Sequence, residues 1–221
     1  GEISAPGWRL ATGVIDVNLQ TTHASKIFSD VEKGAWYEDA VTFCNFNKLM
    51  TGYSGTDLFG VGNSLTRAEF ATVLYRIADP TGAAAVDPST VKNATSLSDV
   101  EDGQFYTPAA NWAVANGVIS GVDTDNGKEF QPNTPVSREM VCTILARYLK
   151  AADGQSTAKL DAMPDAASVS SWATNSVAWA LNNGIINGFN DNGTLLVAPQ
   201  MTLTREMSAQ IVANASYNNL L

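Results

Sequence analysis

Apolar positions recur with helical spacing twice in each of three stretches of the chain. In the middle stretch Ala109, Trp112, Ala113 and Asn116 fall at i, i+3, i+4 and i+7, which is one face of a helix. Pro108 suits the first turn of that helix, and Gly117 stands where a helix ends in a left-handed residue. A short apolar stretch, Val118-Ile119, precedes Gly121. Asp125-Asn126-Gly127 then supplies turn chemistry, and Phe130 and Pro132 close the loop. Ser137 is placed to cap a second helix whose apolar face is Val141, Ile144, Leu145 and Tyr148. The last stretch copies this plan with Trp179, Ala180, Gly184, Ile185-Ile186, Gly188, Asn192-Gly193, Pro199, Thr204 and Ile211-Val212.

The spacings show one unit used three times. An aromatic follows an Asp after six residues (Asp30 to Trp36, Asp99 to Phe105) or seven (Asp165 to Trp172). A second aromatic lies seven further on in every unit, at Phe43, Trp112 and Trp179. A glycine lies sixteen after the first aromatic each time, at Gly52, Gly121 and Gly188. A Thr/Ser-Arg pair closes each unit: Thr66-Arg67, Ser137-Arg138 and Thr204-Arg205. We therefore expect an all-α protein of three helix-loop-helix repeats over residues 28–77, 97–150 and 161–217. Two helices cannot bury both sides of an amphipathic pair alone. The repeats must share a core, either stacked or closed into a pseudo-threefold bundle with a similar groove at each junction. Ala78–Ser96 and Lys150–Ala158 read as linkers. Residues 1–27 match no repeat and read as an N-terminal linker or an extended segment.

Composition narrows the function. The chain has 221 residues with 22 Asp and Glu against 13 Lys and Arg, a formal charge of −9, which excludes a nucleic-acid partner. Adsorption to anionic membranes is disfavoured, and no apolar run is long enough for membrane insertion. Charged residues are only 16%, and Asn, Ser, Thr and Ala make up the difference, as on many extracellular proteins. No basic stretch followed by an apolar one marks a leader, so the chain reads as a mature protein or a fragment of a longer one. Cys44 and Cys142, the two cysteines, form no framework and read as buried thiols. The single histidine, His23, lies outside the repeats, and no GxSxG, HExxH or phosphate-cradling glycine loop is present, so no enzyme is expected. Asp123-Thr124-Asp125-Asn126-Gly127 begins like a calcium loop but lacks the later oxygen ligands and reads as a turn. No metal or cofactor is implied.

Arg67, Arg138 and Arg205 carry the candidate chemistry. Each follows an N-cap residue and so takes the first helical position, where a cation opposes the helix dipole at a cost of about 0.3–1 kcal/mol. Backbone N–H groups are free there too, so three such residues in register point to three anion sites. A carboxylate is the natural bidentate partner of guanidinium. The alternative is an internal pair with a carboxylate of the same unit, Asp30, Asp99 and Asp165 or Glu69, Glu139 and Glu206. An Arg held that way can still face a ligand. Glu69 completes a capping box with Thr66; in the other units the acid comes one residue earlier and Met takes the box position. The paired aromatics read as core, although part of a ring can line a groove and stack on a sugar. Gly52, Gly121 and Gly188 read as left-handed or crowded positions, with close approach of a ligand as the alternative.

Phe28-Ser29-Asp30-Val31, Gly184-Ile185-Ile186-Asn187-Gly188, Phe130-Gln131-Pro132 and Leu65-Thr66-Arg67-Ala68-Glu69 resemble the S-layer homology domain. Its pattern is FxDV, GIIxG, FxP and a TRAE-like helix start. The resemblance covers about residues 28–217. It implies a pseudo-threefold helical bundle, outside the cell, that anchors a surface protein to a secondary cell-wall polysaccharide linked to peptidoglycan. The ligand it implies is a pyruvylated N-acetylmannosamine terminus, bound in grooves between repeats. The ligand-binding set expected is Arg67, Arg138 and Arg205 with Asp30, Asp99, Asp165, Gly52, Gly121 and Gly188. The departures are Asn47-Lys48 and Phe59-Gly60-Val61 in the first unit, Met163-Pro164-Asp165 and Val197-Ala198-Pro199 in the third, and Ser-Arg-Glu-Met and Thr-Arg-Glu-Met helix starts. They leave every Arg in place and slightly favour the grooves supplied by Arg138 and Arg205. A rival reading is a protein-assembly module of a surface-layer or other extracellular protein. An upstream domain of the same polypeptide fits either.

Overall fold

The computed structural model describes residues 22–221 and the backbone of two short antiparallel strands, β1 (Trp8–Leu10) and β2 (Gly13–Ile15), in which Trp8 lies opposite Ile15. The rest of the stretch expected to be a linker or extended segment lies outside the described residues up to residue 21. Residues from 22 onward pack: Ala24 is fully buried, and its N–H donates to Thr42 Oγ1 at 2.9 Å.

The first repeat supplies helices α1 (Glu38–Phe46) and α2 (Arg67–Ala78). The second supplies α4 (Thr107–Ala115) and α5 (Arg138–Tyr148), and the third α7 (Thr174–Asn182) and α8 (Arg205–Tyr217). Between them lie two short helices, α3 (Pro80–Ala85) and α6 (Ala158–Asp161). Helix α3 falls in the stretch read as a linker; Asp79 caps it by accepting from Gly82 N–H, and Pro80 is its first residue. Thr66, Ser137 and Thr204 each accept the N–H three residues on, so the three long second helices begin where their caps placed them. Gly117 and Gly184 end α4 and α7 at φ 67° and 65°.

The fold is not all helix. Among the described residues 41% are helical and 9% lie in short strands. In the second and third repeats the loop between helices is a hairpin: β3 (Val122–Thr124) with β4 (Gly127–Glu129), and β5 (Phe189–Asp191) with β6 (Thr194–Leu196). Asn192 at φ 49° and Gly193 at φ 90° make the two-residue turn that matches strand twist. Each strand has three residues, too few for alternation to register as a pattern.

The repeats do not pack as separate units. Each first helix packs on the second helix of another repeat: α4 on α2, α7 on α5, and α1 on α8. The pairing therefore closes the first repeat onto the third. A ring of backbone bonds repeats that closure at the centre. Leu65 N–H donates to Leu203 O at 3.0 Å, Leu203 N–H to Val136 O at 3.0 Å, and Val136 N–H to Leu65 O at 2.9 Å. All three residues are fully buried.

Candidate functional site

The helix starts sit at the junctions this ring creates. Their first N–H groups are not free, contrary to the expectation from sequence. Arg67 N–H donates to Thr134 O, Arg138 N–H to Met201 O and Arg205 N–H to Asn63 O, each within 3.0 Å and each in another repeat. Ala68 and Glu139 donate likewise to Pro132 O and Pro199 O. A neighbouring loop thus covers each helix N-terminus and leaves the guanidinium as the cationic group at the junction.

The aspartates hold those loops in place. Asp30 accepts backbone N–H groups of Phe59, Gly60 and Val61 at 2.7–2.8 Å. Asp99 accepts from Phe130 and Gln131, and Asp165 from Val197 and Ala198. None pairs with an arginine among the described residues, and none lines the cavities described next. Burial tends to raise the Asp30 pKa, but the three backbone donors outweigh it and hold the carboxyl below its ordinary value.

Three cavities of about 550, 450 and 590 Å³ follow one plan. Each takes its floor from the glycine segment and second helix of one repeat, a guanidinium from another, and an aromatic from the third. The first contains Gly52, α2 residues, Phe105 and Arg205. The second contains Gly121, α5 residues, Trp172 and Arg67. The third contains Gly188, α8 residues, Trp36 and Arg138. The structure thus brings the three arginines and three glycines of the expected set to these cavities, one of each per groove, and leaves the aspartates behind them.

The glycines are needed where they stand. Gly52 has φ 76°, and a Cβ there would lie 2.6 Å from Leu58 O; Gly188 has φ 89°, and a Cβ would lie 2.6 Å from Leu195 Cγ. The arginines are almost wholly buried, at 6%, 8% and 5% exposure for Arg67, Arg138 and Arg205. Arg67 Nε donates to Phe130 O at 2.7 Å, and Arg205 Nε donates to Phe59 O at 2.8 Å. Arg138 Nε is buried with no hydrogen-bond partner among the described residues. Desolvation lowers the pKa of Arg67 and of Arg138 from the ordinary value, the cost of holding a cation out of water. Of the three, only Arg205 has an ion pair among the described residues, to Glu69, which belongs to a different repeat from the one expected.

The first aromatics were expected in the core and are not there. Trp36, Phe105 and Trp172 are 61%, 56% and 54% exposed at the groove rims, whereas Phe43 and Trp179 are buried. Trp36, Phe105 and Trp172 each lie two residues ahead of a helix, so helical spacing does not apply to them. Trp36 and Phe105 are each propped edge-on by the next residue, Tyr37 or Tyr106. Sequence reading also passed over Arg76 and Arg147 near the helix ends, which line the first and second grooves.

Such an arrangement defines a class: a ring of three helical repeats with one cationic, aromatic-rimmed groove at each junction. The chain matches the S-layer homology domain over residues 27–71, 96–139 and 162–206, and it belongs to that family. It is 27% identical to an amylopullulanase of Thermoanaerobacterium thermosulfurigenes over 93% of the chain and 11% of that protein. It is 31% identical to the surface-layer 125 kDa protein of Lysinibacillus sphaericus over 61% of the chain and 10% of that protein. It is likewise 31% identical to a cellulosome-anchoring protein of Acetivibrio thermocellus, over 61% of the chain and 28% of that protein. The chain spans only about a tenth to just over a quarter of the length of these relatives, and it matches only the S-layer homology part of the amylopullulanase. Family and relatives together mark a surface-anchoring module of the bacterial cell surface or wall.

Proposed function

We propose that the chain is a non-covalent cell-wall anchor whose pseudo-threefold bundle binds an acidic secondary cell-wall polysaccharide, linked to peptidoglycan, in the grooves between repeats. A pyruvylated sugar terminus is the ligand chemistry that fits. The observation that carries this reading is the threefold recurrence of one groove plan: a buried guanidinium, a left-handed glycine segment and an exposed aromatic rim. A guanidinium pairs bidentately with a carboxylate, and the pair is strong where water is excluded. The aromatic offers a face for a sugar ring. Several grooves on one chain raise retention on a polymer through avidity without new contacts. No bond is broken in this mechanism. The formal charge of −9 gives no support to a nucleic-acid partner, and no helix among the described residues is long and apolar enough to cross a membrane.

Co-sedimentation with purified sacculi tests the reading. Intact sacculi should pull down the chain, and sacculi stripped of secondary polymer should not. An Arg67→Ala/Arg138→Ala/Arg205→Ala variant, checked for fold by circular dichroism, should remain in solution. Binding that survives stripping, or a folded triple variant that binds as well as the parent, overturns it in favour of a protein partner.

A further inference from the structure

The three grooves share a plan but differ at one helix position. In the groove that receives Arg205 the third residue of the lining helix is Glu69; in the other two it is Met140 or Met207. Glu69 Oε1 accepts from Arg205 Nη1 at 2.6 Å, and the guanidinium carbon lies 4.7 Å from the centre of the Tyr53 ring. The other oxygen, Oε2, accepts Thr66 N–H at 2.8 Å, so both oxygens of Glu69 are committed. Arg67 and Arg138 have no ion pair among the described residues, and a methionine thioether is only a weak acceptor. Arg138 goes further: 8% exposed and lining its groove, it has a buried Nε with no hydrogen-bond partner among the described residues. The acids nearest Arg67 and Arg138, Asp99 and Asp165, act only at a distance, with their oxygens committed to backbone N–H groups, and burial still costs each guanidinium more than these charges return. An arriving anion offsets that cost.

The other repeats show why Glu69 is free to act there. Their acid sits one residue earlier and is used on a neighbouring repeat. Glu139 accepts from Ser170 N–H and Oγ and from Gln200 Nε2, and Glu206 accepts from Gly62 N–H. In the first repeat that earlier position is Ala68, and the acid has moved one step around the helix to face the groove.

We propose that Glu69 is a built-in competitor for the ligand's carboxylate: it occupies the anion position on Arg205, and carboxylate binding falls to the Arg67 and Arg138 grooves. Glu69 then sets the number of working sites on the module. The inference rests on the carboxylate-binding reading above. It also exchanges Arg205 for Arg67 in the pair of grooves that motif departures favour, and keeps Arg138, because the repeat with the most complete helix-start motif contributes the blocking acid. An intramolecular carboxylate acts at an effective concentration of roughly millimolar or more, which a monovalent sugar terminus must overcome.

The test is an NMR titration of the arginine Nε–Hε resonances of the whole chain with the pyruvate ketal of N-acetylmannosamine. Its methyl ester serves as the neutral control. Two variants accompany the parent. Glu69→Gln keeps an acceptor for Thr66 N–H while losing the charge, and Glu69→Met copies the other two repeats. In the parent, Arg67 and Arg138 are expected to shift first, with Arg205 needing at least about tenfold more probe, the equivalent of about 1.4 kcal/mol. In both variants Arg205 is expected to join them. The proposal is overturned if Arg205 titrates with the others in the parent, or stays silent in variants whose amide spectra show the native fold. If no arginine responds to the acid, or the ester acts equally, the carboxylate-binding reading itself fails and takes this inference with it.

Discussion

Lys48 sits at φ 58°, where the matching residues of the other repeats, Gly117 and Gly184, sit at 67° and 65°. A side chain pays for that backbone through its Cβ, and glycine does not. Lys48→Gly is expected to stabilise the chain by about 1 kcal/mol, seen as a higher urea midpoint at unchanged slope. Asp30 offers a second residue-scale test. Its folded pKa is depressed, so its contribution is present above the unfolded value and is lost as pH falls through the folded one. Asp30→Asn should cost about 2 kcal/mol at neutral pH and flatten the acid limb of a urea-midpoint series against pH. The helix caps and the arginines after them were legible because they are local patterns. The job of Asp30 was not, because its partners Phe59, Gly60 and Val61 lie 29 to 31 residues away and are backbone donors with no identity of their own.

Whole elements divide in the same way. Of the six long helices, α2, α5 and α8 were legible from their Thr or Ser caps, α4 and α7 from spacing and the glycine past their ends, and α1 from the repeat. The hairpins β3–β4 and β5–β6 were seen only as turns, because their six residues add little more than the turn itself. The two aromatics of each repeat looked alike in sequence and separate in space. Phe43, Trp112 and Trp179 lie within helices, where spacing predicts burial; Phe43 and Trp179 are buried, and Trp112 packs between Tyr75 and Tyr148 with ring centres 5.8 Å from each. Trp36, Phe105 and Trp172 precede the helices and stand at the rims. Replacing a rim aromatic by Ala should change stability by less than about 0.5 kcal/mol in thermal unfolding. The same change at Phe43 or Trp179 should cost about 3–5 kcal/mol. On sacculi the rim variants should bind more weakly at full stability; unchanged binding would remove the rings from the site.

At the scale of the molecule, what sequence could not show is which helices pair. Cys44 on α1 meets α8 across 165 positions, its thiol 3.8 Å from Ala209 O, and nothing local announces that contact. The closure has a consequence for unfolding. In an open stack the first helix would fray as an end, and each repeat would open at its own denaturant concentration. Here α1 is covered by α8, and the bonds through Leu65, Leu203 and Val136 cannot lose one repeat without stranding buried groups of the other two. The two thiols report on different repeats: Cys44 where α1 packs on α8, and Cys142 within α5 of the second repeat. Both are free and fully buried, and burial pushes the Cys142 thiol up to about 12 and that of Cys44 up as well. Both therefore stay protonated and unreactive in the folded chain at mildly alkaline pH, and become ordinary thiols only where their junction opens. Pulse labelling across a urea series should find Cys44 and Cys142 becoming reactive in one shared transition that coincides with loss of helical circular dichroism. Labelling of Cys44 at clearly lower urea than Cys142 would mean that the junction between first and third repeats opens by itself, and the ring would then be three stacked units whose ends merely touch.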